Sequence, residues 1–172
     1  MIVLSFNVKE KVKNFYLDLL IETIEQRPKP ERQNEYNNYY FKSKYTNELY
    51  DILIPLCKKH LNPFTIKSLK FGTWCCLSDK HFKIGLDQWH NHKKSGTIIA
   101  VLYLKIPDEE KHGIDFKFND RVKLHKPKPF DLIIFPNYLD HRPYGSETDE
   151  KRISINLELQ CKEKAEDIFY GI

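Results

Sequence analysis

Arg152-Ile153-Ser154-Ile155-Asn156-Leu157 alternates polar and apolar side chains without a break. Successive side chains of an extended chain point to opposite faces, so Arg152, Ser154 and Asn156 share one face while Ile153, Ile155, Leu157 and Leu159 share the other. The apolar face needs a core. The polar face has two destinations: solvent, as on half of any sandwich, or the inside of a barrel. In the second case Arg152 offers a planar fork of donors to a carboxylate, and Ser154 adds a hydroxyl on the same side.

Outward from this strand, the chain from Phe64 onward is a series of short β-branched and aromatic segments separated by charged or Pro/Gly turns. That pattern predicts an antiparallel sandwich or barrel, with strands at 65–77 (broken near Gly72), 83–89, 97–105, 114–118, 121–125, 131–135 and 152–159. The all-apolar runs 98–104 and 132–135 read as strands buried on both faces. Before Phe64 the period is helical. Asn7 with Glu10 resembles a capping box, and Val12, Phe15, Tyr16, Leu19, Leu20 and Ile24 fall on one face until Pro28 and Pro30. A second helix is expected over 47–60, with Leu49, Leu53, Leu56 and Cys57 inward and Pro55 tolerated near its start. Residues 31–45, rich in Tyr36, Tyr39 and Tyr40, read as a polar loop. The expected fold class is mainly β with N-terminal helices (α+β). We read one domain over 1–172: a helical support (1–63), a β core (64–160) and a C-terminal tail (161–172).

Composition sets limits. A chain of 172 residues, 41% hydrophobic and 13% aromatic, can bury a proper core. Its net charge of +4 comes from scattered lysines, which admits an anionic ligand but gives no argument for nucleic acid. Cys57, Cys75, Cys76 and Cys161 have neither zinc-finger nor disulfide-framework spacing, and residues 1–10 hold no signal-peptide core, so a reduced, cytoplasmic setting is expected. No apolar run approaches the roughly twenty residues of a membrane span.

The chemistry lies in three histidines. His90 and His92 are two apart, so in extended chain both imidazoles face one way and can reach one point. His141 follows the strand 131–135, past Pro136 and Asn137, at the mouth of the sheet. Two neighbouring His and a distant third can hold one metal ion. Each alone is as well explained as a wet strand end or a loop residue.

Together these residues resemble a known family. A His motif, a distant His, then Arg about ten residues on with a Ser two beyond it is the order in the iron(II)- and 2-oxoglutarate-dependent oxygenases, built on a double-stranded β-helix of jelly-roll or cupin type. Trp89-His90-Asn91-His92, Ser95-Gly96 through Tyr103-Leu104, Phe135-Pro136, His141 and Arg152-Ile153-Ser154-Ile155 are similar to a phage and bacterial branch related to prolyl 4-hydroxylases. The resemblance covers about residues 85–160. It implies His90 and His141 as iron ligands, Arg152 assisted by Ser154 on the far carboxylate of 2-oxoglutarate, and Tyr103 as a further cosubstrate contact. It also implies consumption of dioxygen, release of succinate and carbon dioxide, and hydroxylation of a peptide or small-molecule substrate, with peptidyl proline the natural guess. In a phage, the setting would be the host cytoplasm. The chain departs from the usual pattern where an Asp or Glu ligand is expected, since His92 stands there. With His92 as third ligand the site is three neutral imidazoles. Asp87 is a conceivable substitute.

Two other readings remain at this level. One is a cupin-like three-histidine dioxygenase without cosubstrate, which keeps His90, His92 and His141 but gives Arg152 a structural or substrate-binding role. The other is a non-catalytic β-sandwich, such as a phage structural or binding module, with its histidines on the surface.

Overall fold

The computed structural model describes residues 2–27, 38–69, 73–80, 88–108 and 112–172. In chain order its elements are β1 (Leu4–Asn7), α1 (Lys9–Val12), α2 (Tyr16–Glu25), β2 (Asn38–Phe41), α3 (Thr46–His60), β3 (Ile66–Leu69), β4 (Thr73–Ser78), β5 (Ile98–Lys105), β6 (Ile114–Phe118), β7 (Arg121–His125), β8 (Asp131–Pro136), β9 (His141–Pro143), β10 (Arg152–Cys161) and α4 (Ala165–Ile168). Seven strands form the larger sheet, ordered β1-β8-β5-β10-β4-β2, with β3 also paired to β10; a smaller sheet runs β7-β6-β9. Neighbouring strands pair antiparallel throughout.

The period-2 pattern of β5, β8 and β10 builds two apolar layers. Ala100, Leu102, Ile134, Ile153, Ile155 and Leu157 point outward and are covered by Val12, Leu19, Leu49, Leu53 and Cys57 of the helices. Ile99, Val101, Tyr103, Ile133 and Phe135 point the other way and meet Ile114, Phe116 and Leu139. A strand in the middle of such a stack is apolar on both faces, which is why β5 is buried from Ile98 to Leu104. The architecture is a double-stranded β-helix, with its helices packed on the outer face of the larger sheet.

Several expectations need correction. Helix formation begins at Lys9 but breaks after Val12 and resumes at Tyr16, and Val8 at the N-cap receives no side-chain hydrogen bond. Only half of the capping box forms: Asn7 Oδ1 accepts from the Lys9 N–H at 3.3 Å, while its Nδ2 donates to the Pro129 carbonyl at 3.3 Å and to Asp131 Oδ1 at 3.1 Å, and Glu10 takes Lys13 Nζ at 2.6 Å. The break shifts the helical phase, so Thr23 points inward and Ile24 is left exposed. Part of the supposed Tyr-rich loop is strand β2, because its backbone completes the edge of β4 and Phe41 fills the core; Tyr36 lies outside the described residues. Pro55 sits in the interior of α3, facing solvent, where it removes a single rung of the helix ladder. The expected strand 65–77 is two, β3 and β4, both laid along β10. The break at Gly72, most of the strand 83–89, and Asp87 lie outside the described residues. The stretch read as a C-terminal tail starts with the last residue of β10 and contains α4, whose Ile168, with Phe169 just beyond it, is buried in the core. Among the described residues, no helix is long and apolar enough to cross a membrane.

Candidate metal centre

The three histidines arrive from two directions and are fixed by backbone pairing. His90 and His141 face each other in an antiparallel bridge, N to O 3.0 and 2.9 Å in the two senses. Directly opposed residues in such a pair project to the same side, and the two ring centroids stand 4.2 Å apart. His92 is held by its own N–H, which donates to the Asn137 carbonyl at 2.8 Å. Its ring lies parallel to that of His141, 7° between planes with centroids 5.1 Å apart. One ligand nitrogen from each residue falls within 4.8 Å of the others.

The second nitrogen of each ring shows which one is offered. Nδ1 of His90 lies 3.1 Å from the Gln88 carbonyl, and Nδ1 of His141 lies 3.0 Å from the Leu139 carbonyl. Nδ1 of His92 lies 3.0 Å from Glu158 Oε1. An acceptor beside each Nδ1 places the proton there, which leaves every Nε2 with its lone pair outward, the state a metal requires. Desolvation favours the same neutral form. Burial, with His90 alongside, pushes the pKa of His141 down to about 3. Desolvation also lowers that of His90, with a smaller contribution from His92.

Beside the histidines lies a cavity of about 520 Å³, lined by Tyr103, Arg152, Ser154, Asn156, Trp74 and Cys76 as well as by the three rings. The register explains this grouping: Ser154 of β10 stands opposite Tyr103 of β5 on one side and Cys76 of β4 on the other. The polar face of β10 therefore turns inward, with Arg152 and Ser154 only 3% and 1% exposed. Arg152 contacts Cys76 Sγ at 3.4 Å and lies over the Tyr103 ring, its Cζ 5.1 Å from the centroid. Among the described residues no carboxylate is paired with it, and its Nε and the Tyr103 hydroxyl are buried without a hydrogen-bond partner. Burial raises the phenol pKa of Tyr103, Arg152 opposing, so the hydroxyl stays protonated and can donate. A cation in such a place is costly unless an anion joins it.

The structure thus gathers His90, His92, His141, Arg152, Ser154 and Tyr103 around one cavity, as the sequence led us to expect, with Asp87 outside the described residues. Sequence reasoning missed Trp74, Cys76 and, above all, Glu158. Glu158 continues the alternation of β10 and is buried at 3% exposure. Extending the polar face by one more alternate position would have found it.

No family model matches the sequence, and no curated protein matches it. The likeness is in three dimensions. A Pseudomonas putida prolyl-4-hydroxylase superposes with a TM-score of 0.61 at 12% identity, over 92% of each chain. A prolyl hydroxylase of Trichoplax adhaerens, solved with a fragment of the hypoxia-inducible factor oxygen degradation domain, gives 0.62 at 13% identity over 92% of this chain and 83% of that one. The collagen prolyl hydroxylase of Paramecium bursaria Chlorella virus-1, in its complex with 2-oxoglutarate, gives 0.60 at 13% identity over 95% and 97%. These likenesses establish the shared double-stranded β-helix.

Proposed function

We propose that the protein is an iron(II)- and 2-oxoglutarate-dependent oxygenase that hydroxylates a carbon of its substrate. The observation that carries this reading is a buried guanidinium, paired with no acid among the described residues, lining the same cavity as three converging imidazoles. One feature suits a divalent metal and the other a carboxylate, and a single dicarboxylic acid can engage both. The fold neighbours, one of them solved with 2-oxoglutarate, support the assignment.

In this reading His90, His92 and His141 hold iron, and the double-stranded β-helix fixes them before any ligand arrives. Iron and 2-oxoglutarate supply the oxidising chemistry: one oxygen atom of dioxygen enters the substrate, the other enters succinate, and carbon dioxide leaves. The chain's part is placement. Arg152 receives the far carboxylate of 2-oxoglutarate in a fork of hydrogen bonds, and the Ser154 and Tyr103 hydroxyls donate to it from neighbouring strands. The apolar layer of Val101, Ile114 and Phe116 under the site keeps water from the reacting atoms. For the substrate, a peptidyl proline is favoured by the neighbours, which include prolyl hydroxylases, one of them in complex with a peptide fragment.

Anaerobic addition of 2-oxoglutarate to the iron(II)-loaded protein tests the assignment. A visible charge-transfer band is the expected result. Full iron loading with no band would reject the cosubstrate and favour the three-histidine dioxygenase that needs none. Failure to take up iron would leave the non-catalytic sandwich.

A further inference from the structure

Three imidazoles bring no charge to a divalent cation, whereas a site with one carboxylate brings a negative charge. The charge missing at position 92 is present one layer further out. Glu158 is buried at 3% exposure on the inward face of β10, and its Oε1 lies 3.0 Å from Nδ1 of His92. The Ser95 hydroxyl reaches the same oxygen at 3.2 Å. The backbone makes room for this carboxylate: a Cβ on Gly96 would lie 2.8 Å from Glu158 Cβ and 3.2 Å from its Oε2. Among the described residues, His90 and His141 meet only backbone carbonyls at the equivalent nitrogen.

We propose that Glu158 is the positioning residue of the metal centre: as a carboxylate it accepts a hydrogen bond from Nδ1–H of His92, aims Nε2 at the metal and supplies, through the imidazole, the negative charge that the ligand set lacks. A carboxylate behind a ligating imidazole makes the ring a stronger donor and fixes its tautomer. The strand that anchors the carboxylic acid at Arg152 thus tunes the metal from its other end. The proposal rests on the metal reading above.

Cobalt(II) is the probe, titrated into metal-free protein and read by its visible ligand-field bands, which report affinity and geometry independently of turnover. Glu158→Gln, which keeps the shape and removes the charge, is expected to weaken cobalt binding by about 10- to 100-fold and to shift the bands. In a His92→Asp background, where no imidazole remains to be oriented, the same change is expected to cost less than about threefold. An equal loss in both backgrounds would mark Glu158 as mere scaffolding and overturn the proposal, as would unchanged affinity in the single variant. Should Glu158→Gln fail to fold, Glu158→Asp withdraws the carboxylate by one methylene and is held to the same criteria. Wild-type protein that takes up no cobalt would overturn the metal reading together with this one.

Discussion

In the proposed function Arg152 and His141 divide the labour of the site, and separate substitutions should show it. Arg152→Ala is expected to leave iron uptake intact while weakening 2-oxoglutarate binding by at least about tenfold, the scale of a lost charge-assisted contact; metal analysis checks the first and anaerobic calorimetric titration of the iron-loaded protein the second. His141→Ala should abolish iron uptake at unchanged secondary structure, checked by metal analysis and circular dichroism. Equal iron loss in the two variants would make Arg152 structural. These residues were legible because their chemistry is tied to spacing: two histidines two apart, and an Arg and a Ser alternating with isoleucines. Glu158 stands on the same alternation, but its role was hidden, since a lone glutamate late in a strand reads as solvated until the fold turns that face inward and brings His92 to it.

At the scale of elements, strands were easier to read than helix ends. β5, β6, β7 and β8 occupy nearly the expected spans, because alternation and continuous apolar runs are set by burial. The capping box is half made: Asn7 Oδ1 accepts the Lys9 N–H, but Glu10 pairs with Lys13, and Asn7 Nδ2 is drawn to the β1–β8 edge, a long-range demand that a local motif does not contain. The turn from His92 to Gly96 is a place where an element can be tested. Gly96→Ala must displace Glu158, and is expected to weaken metal binding in the same direction as Glu158→Gln. Leu157, fully buried between sheet and helices, should cost about 2–5 kcal/mol on truncation to Ala, seen as a lower urea midpoint with metal affinity preserved in the folded fraction.

For the whole molecule, the buried imidazole of His141 links stability to pH. Its pKa near 3 in the native state stands against an ordinary value of 6.5, so between those values the unfolded chain binds a proton that the native one refuses. Stability of the metal-free protein is therefore greatest above pH 6.5 and declines on acidification, by up to about 1.4 kcal/mol per pH unit from this one group. Urea unfolding at pH 7.5, 6 and 5 should show the decline, and His141→Phe, which keeps a ring without a titrating nitrogen, should flatten it; a slope unchanged by that substitution would locate the proton elsewhere. Chain order has its own consequence. β10 lies in the middle of the larger sheet yet follows every other strand of both sheets. During synthesis, β5 and β4 emerge with a gap between them that only this strand can fill, and pairings so distant in sequence form slowly. Arg152 and Glu158 lie on this strand and the three histidines do not, so the ligand cluster and the acid anchor meet only when it inserts. Competence for the proposed reaction would then switch on late, with the insertion of a single strand.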